Sequence, residues 1–365
     1  MKLIIAGGGT GGHLFPGIAV AEEFLARDRA NEVLFVGTER GIEARVVPAA
    51  GYRLEIISAA GIRGKGGLSQ IKGIAMMIYG YAQSRKVLKA FRPDMVLGVG
   101  GYASLPMLLA ARGMQIPCFI HEQNAIPGQT NRLLARFANK VFITLEESAR
   151  YFPAAATMLT GNPLRRQILD MIETVSPSCA KNDVRCADDF RLFVFGGSQG
   201  SDAINTAMIE SLPLLMKIRG KLTITHQTGE NECAEITAVY RDAGVEARVT
   251  PFIDDMAAEY AEADLIICRS GATTIAEVTA CGKACLFIPF PHAVDDHQRK
   301  NAEALLKKDA CFMMLENELT GASLAGTIRT LLEDPALVRR TGKLAFSLAR
   351  LDAAKLIVDN MMKPI

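Results

Sequence analysis

The sequence predicts an α/β protein built from two doubly wound, parallel-sheet domains, and three observations predict it. Short apolar runs alternate with amphipathic helical stretches, the rhythm of successive βαβ units. Two glycine-rich turns lie about half a chain apart: Gly7-Gly8-Gly9-Thr10-Gly11-Gly12-His13 and Gly196-Gly197-Ser198-Gln199-Gly200-Ser201. Each follows an apolar run (Leu3-Ile4-Ile5 and Leu192-Phe193-Val194-Phe195) and opens a helical stretch. The length, 365 residues, fits two domains better than one. A glycine turn leaving a parallel strand lets backbone N–H groups and a helix N-terminus face an anion. Its duplication suggests two α/β units facing one cleft.

Taken in order, continuous apolar runs place strands at 2–6, 33–37, 54–57, 95–99, 117–120 and 140–144, as buried parallel strands should read. Helical stretches fall between them at 16–28, 39–50, 70–91, 104–113, 128–138 and 146–150. A second series has strands at 191–195, 221–226, 246–250, 264–268 and 284–288, with helices near 201–218, 230–243, 253–261, 272–281 and 296–307. The segment 152–190, with Pro153, Gly161-Asn162-Pro163, Pro177 and a mixed polar stretch, reads as linker or excursion. The expected domains are 1–160 and 161–340. A helical tail, 341–365, follows, and the sequence leaves open whether it packs back on the first domain. Ligands are expected outside the carboxyl ends of the strands.

Apolar residues make up 49% and charged residues 22%, so large cores can form and no segment reads as disordered. The opening MKLIIAGGGTGG does not read as a signal peptide, and no apolar run approaches the ~20 residues of a membrane span. The expected place is therefore cytoplasmic or peripheral to a membrane. The eight cysteines form no C-x-x-C pair and sit mostly in apolar surroundings, which favours buried reduced thiols. Charge is uneven: residues 1–160 carry 18 Lys and Arg against 11 Asp and Glu, and the remainder 23 against 28. A basic amino-terminal half suggests an anionic partner there. Without interleaved aromatics, a membrane surface or phosphorylated substrate fits better than nucleic acid.

Several constellations carry chemistry. Gly7, Gly9 and Gly12 satisfy G-x-G-x-x-G, and Glu39 sits where a ribose-binding acid would. Nicotinamide-dinucleotide binding is nonetheless disfavoured, because Ser198 replaces the second glycine in the other turn and His13 stands at the mouth of the first. His13 reads either as a helix-start residue or as a general base, since imidazole titrates near working pH. Gly100-Gly101-Tyr102-Ala103-Ser104 forms a third turn on the same sheet edge. His121-Glu122-Gln123-Asn124, directly after a strand, is either a site or a hydrogen-bonded corner. Arg269-Ser270-Gly271-Ala272-Thr273-Thr274-Ile275-Ala276-Glu277 is the richest cluster. Free N–H groups at that helix start suit a diphosphate, with Arg269 adding charge. Glu277 reads as a carboxylate for both ribose hydroxyls or as a capping and dipole partner. His292 and His297 with Asp295 and Asp296 match no strong metal pattern. Residues 61–92 hold no acid and mix Ile71, Ile74, Ala75, Ile78 and Tyr81 with Arg63, Lys65, Lys72, Arg85, Lys86, Lys89 and Arg92. That stretch is either an interfacial patch for anionic lipid or a core helix with a basic outer face.

Together, GGGTGGHLFPGIAVAEE, GVGGYASLP, HEQNAIPG followed by TNRLLARFA, GNPLR, FGGSQGS, RSGATTIAEV and the His297-Gln298/Asn301-Ala302 ending resemble the MurG family of glycosyltransferases (family 28) over nearly the whole chain. The resemblance implies a GT-B fold, two Rossmann-like domains facing a central cleft. It implies inverting transfer of GlcNAc from UDP-GlcNAc to the MurNAc 4-hydroxyl of lipid I, forming lipid II for peptidoglycan, without an obligatory cofactor; a divalent cation stays open. By the family's pattern the carboxy-terminal domain holds UDP-GlcNAc. Glu277 would bind ribose and the Ile253 backbone would meet uracil. Arg165, Ser198 and the helix start Ala272, Thr273, Thr274, Ile275 and Ala276 would serve the phosphates, and Gln298 the sugar. His297 stands where the family often has a second Gln. Thr10, Gly11 and Gly12 would receive the diphosphate of lipid I, with His13 as base, and Asn124 would position acceptor or donor sugar. Implied partners are an anionic membrane surface, on whose cytoplasmic face the protein would sit peripherally, and cell-wall synthesis and division proteins. The competing readings are a soluble UDP-GlcNAc 2-epimerase of the same fold and a non-catalytic nucleotide-binding subunit.

Overall fold

The structure is a computed structural model that describes all residues except 40, 60–66, 180–188, 198, 217–220 and 365. For 67–72, 74, 175–179, 189 and 221 it describes the backbone only. The chain divides into two compact units, Met1–Arg165 with Arg350–Ile365, and Arg166–Ala349.

The first unit runs β1 (Lys2–Gly7), α1 (Gly11–Arg27), β2 (Glu32–Gly37), α2 (Glu43–Ala49), β3 (Arg53–Ile56), α3 (Gly67–Phe91), β4 (Met95–Gly100), α4 (Ser104–Gly113), β5 (Cys118–Glu122), α5 (Gln129–Leu134), β6 (Lys140–Ile143) and β7 (Thr157–Leu159). Its seven parallel strands lie in the order β3-β2-β1-β4-β5-β6-β7. Strand order reverses between β1 and β4, where Ile4 pairs with both Leu34 and Val96. That switch point opens the crevice in which doubly wound sheets bind ligands. β1, β4 and β5 are buried along nearly their whole length, so their runs need no alternation of polarity.

The second unit runs α6 (Arg166–Cys179), β8 (Asp189–Phe195), α7 (Asp202–Leu215), β9 (Lys221–Gln227), α8 (Cys233–Asp242), β10 (Ala247–Thr250), α9 (Met256–Glu262), β11 (Leu265–Cys268), α10 (Ala272–Ala280), β12 (Ala284–Phe287), α11 (His297–Leu306), β13 (Phe312–Met313), α12 (Gly321–Glu333) and α13 (Pro335–Ser347). Its six parallel strands order as β10-β9-β8-β11-β12-β13, reversing between β8 and β11. Local chemistry sets the helix starts. Asp255 and Asp334 accept from Ala258 N and Leu337 N, and Pro335 occupies the first turn of α13.

Four features depart from the sequence reading. α1 begins at Gly11 rather than 16, with Pro16 inside it, because the glycine run itself forms the first turn. The segment expected as linker supplies β7 and α6. β13 is a two-residue strand, too short to show a pattern. The tail is two helices, broken over 348–352, and the second, α14 (Ala353–Met361), returns to the first unit. There it buries Ile357, Val358 and Met361 among Leu3, Ile5 and Phe24, each worth roughly 1.5–3 kcal/mol. Arg27–Asp359 and Lys140–Asn360 add polar contacts at 2.7 and 2.9 Å.

Candidate active site

In the first unit three loops meet at the carboxyl ends of β1, β4 and β5. Gly7, Gly8 and Gly9 all have positive φ, the region that side chains disfavour. A Cβ on Gly7 would stand 2.2 Å from the Gly100 carbonyl, and one on Gly101 2.4 Å from that of Gly8, so only glycine lets the two turns touch. Beneath them lies Glu43, a buried carboxylate that accepts from Gly9 N at 2.7 Å, Thr38 N at 2.9 Å and Thr38 Oγ1 at 3.0 Å. Glu43 thereby takes up the Gly9 amide. The N–H groups of Thr10, Gly11 and Gly12 have no hydrogen-bond partner among the described residues, and Thr10 caps with no side-chain bond. Those three amides open the helix at its positive end.

His13 sits in the first turn of α1, its ring against Gly100, where a Cβ would lie 2.8 Å from Nδ1. Its Nδ1 is 3.0 Å from Gln123 Oε1. The tetrad straddles the end of β5, whose last two residues are His121 and Glu122, and the hydrogen-bonded corner is seen at Glu122. Glu122, 1% exposed, is a corner carboxylate accepting from Asn124 N, Gly128 N and Asn131 Nδ2 at 3.0, 3.2 and 2.8 Å. Gln123 instead reaches the site, and His121 stands behind it, buried, with burial holding its pKa down to about 4. Asn124 is fixed against Glu122, its Nδ2 at 3.4 Å from Oε1. Arg165 closes this unit, its guanidinium 5.5 Å from the Phe15 ring of α1, and so shares no unit with α10.

The second unit assembles its own loops at the ends of β8, β11 and β12. Ser198 lies outside the described residues. Gln227, at the end of β9, donates to Gly197 O at 2.8 Å and accepts from Ile253 N at 3.0 Å, so the Ile253 amide is already engaged within the fold. α10 starts at an extended Gly271 with no side-chain cap. The hydroxyl of Thr273, in its first turn, is buried with no partner among the described residues. A buried hydroxyl beside the uncapped first-turn amides is a polar group that an anion could satisfy. Ala272, Thr274, Ile275 and Ala276 complete that turn. Glu277 lies beyond the first turn, 2% exposed, and accepts from the Tyr260 hydroxyl at 3.2 Å; it is therefore not the helix cap. Gln298 accepts from Phe290 N at 3.1 Å through Oε1, while Ser270 Oγ bonds the Gln298 carbonyl at 2.9 Å.

Arg269 behaves differently from a free charge. Its guanidinium donates to Ser201 Oγ at 2.7 Å and to the Ile288 and Pro289 carbonyls, and pairs with Glu316. It bolts the loops after β8, β11 and β12 together. Glu43, Gln227 and Glu316 were not marked by the sequence, because no spacing links them to the turns they hold; Gln123 was marked only as a member of the His121–Asn124 tetrad, without its partner His13. Among the described residues no group of three or more His, Cys, Asp or Glu has metal-binding geometry. The six described cysteines are free, and Cys268 and Cys285 lie 3.5 Å apart, sulfur to sulfur, in the core.

Comparison with known proteins converges with this geometry. Residues 3–143 match the glycosyltransferase family 28 N-terminal domain, and 191–357 the family 28 C-terminal domain. The chain is 67% identical, over 100% of both sequences, to the UDP-N-acetylglucosamine–N-acetylmuramyl-(pentapeptide) pyrophosphoryl-undecaprenol N-acetylglucosamine transferase of Pelobacter propionicus. The crystal structure of Acinetobacter baumannii MurG superposes with a TM-score of 0.81 at 32% identity, covering 100% of this chain and 99% of that one. A Neisseria meningitidis UDP-GlcNAc 2-epimerase bound to UDP-GlcNAc shares the fold alone, with a TM-score of 0.67 at 14% identity over 100% of both chains. The two parallel-sheet units are those of a GT-B fold, and the chain belongs to glycosyltransferase family 28.

Proposed function

We propose that the chain transfers GlcNAc from UDP-GlcNAc to the 4-hydroxyl of MurNAc in undecaprenyl-diphospho-MurNAc-pentapeptide, with inversion at the anomeric carbon. The observation that carries this reading is the 67% identity over the full length of a transferase of that description, both glycine turns included. The epimerase reading has only the fold in its favour.

The residues divide the work by unit. In the first, the Thr10, Gly11 and Gly12 amides receive the acceptor's diphosphate and His13 faces its hydroxyl. As the 4-oxygen bonds to C1, its proton passes to His13 and the C1–O bond to phosphate breaks, its electron pair leaving with UDP. In the second, the α10 start and Thr273 Oγ1 take the growing charge on the diphosphate, which preorganised N–H groups stabilise without rearranging. Glu277 holds the ribose, the Ile253 backbone the uracil and Gln298 the sugar. Arg269 acts by holding three loops in place, Arg165 serves the phosphates, and Asn124 positions acceptor or donor sugar.

A peripheral seat on an anionic membrane completes the reading. No helix among the described residues is long and apolar enough to cross a bilayer. On α3, however, Ile78 and Tyr79 are 67% and 60% exposed beside exposed Lys86 and Lys89, whereas Gly80, Ser84 and Leu88 face inward. Apolar side chains pointing out among lysines suit a lipid surface better than a core helix. Incubation with UDP-GlcNAc and a lipid I analogue should release UDP and a disaccharide lipid in equal amounts. Conversion of UDP-GlcNAc alone to its 2-epimer would overturn the assignment.

A further inference from the structure

Gln123 is 1% exposed, and its amide is held at both ends. The Val99 carbonyl, which can only accept, lies 2.9 Å from Nε2 and so fixes the NH2 on that side. This turns Oε1 toward His13 Nδ1 at 3.0 Å. An amide oxygen only accepts, so the hydrogen of that bond belongs to Nδ1. The neutral His13 ring then carries its lone pair on Nε2.

A second, independent anchor gives the same orientation. His121 Nε2 is 3.2 Å from the Gly161 carbonyl, again an obligate acceptor, so Nε2 carries the His121 hydrogen. Its Nδ1, 3.1 Å from Gln123 Nε2, must then accept from the amide. Burial keeps His121 neutral down to about pH 4, so Nδ1 remains an acceptor in the working range. Turning the amide over would set Gln123 Oε1 against the Val99 carbonyl and the His121 lone pair, two repulsive contacts in a dry interior. Two backbone carbonyls thus set the protons along the whole row.

We propose that Gln123 and His121 are positioning residues that lock His13 in the Nδ1–H tautomer, leaving Nε2 as the atom that takes the acceptor hydroxyl's proton. The role of Nε2 rests on the proposed function; the tautomer itself does not. A carboxylate in the place of Gln123 would hold the same tautomer but also attract the imidazolium. The neutral amide orders the ring without adding a counter-charge. The imidazolium formed at Nε2 is therefore not held by a carboxylate on Nδ1, and its proton can return to solvent after UDP leaves.

The test uses the whole enzyme labelled with 15N-histidine, without substrate, above the ordinary histidine pKa. With five histidines in the chain, His13→Ala and His121→Asn assign the two signals. Two-bond proton–nitrogen correlations should show His13 protonated at Nδ1 and His121 at Nε2. A His13 ring protonated at Nε2, or an even mixture, overturns the proposal even if every Gln123 variant fails to fold. Gln123→Met should convert His13 to a tautomer mixture and lower kcat about tenfold to a hundredfold, within the ~10²–10⁴-fold reach of general-base catalysis, with UDP affinity unchanged. An unchanged His13 tautomer in that variant removes Gln123 from the role. Unaltered turnover in His13→Ala, by contrast, would overturn the base in the proposed function while the tautomer result stood.

Discussion

At the scale of single residues, the first unit is organised around polar atoms with only one way to be satisfied. Glu43 shows this best: three donors converge on it, and a Cβ on Gly8, Gly37 or Gly41 would collide with it. Glu43→Ala should leave the partly solvated Gly9 and Thr38 amides without their carboxylate and cost about 2–3 kcal/mol, the low end of 1–3 kcal/mol for each of the two amides because water can reach them, read as a lowered denaturation midpoint of the first unit. Glu43→Ala with an unchanged midpoint would show that the loop holds itself. His13→Ala should lower turnover by about 10²–10⁴-fold while calorimetry finds UDP binding intact. Thr273→Val makes the opposite split. Its hydroxyl has no partner among the described residues, so stability should hold or rise, while UDP affinity falls by about fivefold, the roughly 1 kcal/mol of one hydrogen bond. Of these residues the sequence marked His13 and Thr273, which stand in glycine turns after apolar runs. It did not mark Glu43, and it marked Gln123 only within the His121–Asn124 tetrad, because their partners lie up to 110 positions away.

At the scale of elements, most strands were legible because parallel strands buried on both faces read as unbroken apolar runs. Edges were less so: β7 and β13 are short and half-exposed, and neither periodicity nor composition sets them apart. α3 was legible as a helix but not in its orientation. Its apolar residues occupy more than one face, and packing against α4 turns Gly80, Ser84 and Leu88 inward, leaving Ile78 and Tyr79 outside. Replacing Lys86 and Lys89 together with Glu should weaken sedimentation with anionic vesicles by about 10-fold or more, at roughly 1 kcal/mol for each lysine removed and more for the reversal. Undiminished sedimentation would return α3 to an ordinary surface helix.

At the scale of the whole molecule, each unit buries one histidine in neutral form: His121 in the first and His226 in the second, both with pKa lowered to about 4 by burial. A histidine depressed from 6.5 to about 4 binds a proton more readily unfolded than folded throughout that interval. Stability is therefore fully present above about pH 6.5 and falls as pH drops toward 4, by about 3 kcal/mol per unit at 1.36 kcal/mol for each pH unit. Denaturant midpoints of both units should decline over that window; flat midpoints would contradict the neutral assignments. The duplicated glycine turns announced two such units in the sequence, and the chemistry around each turn distinguishes them: an imidazole on the first, an uncapped helix with an orphan hydroxyl beside the second. The central claim, GlcNAc transfer with His13 as base, meets its most direct test in single-turnover transfer of radiolabelled GlcNAc from UDP-GlcNAc to a lipid I analogue. Wild-type enzyme should yield a β-linked disaccharide lipid, and His13→Ala with UDP-GlcNAc bound should form it about 10²–10⁴-fold more slowly. Label that stays on UDP, or appears only as free GlcNAc or a 2-epimer, would contradict the account.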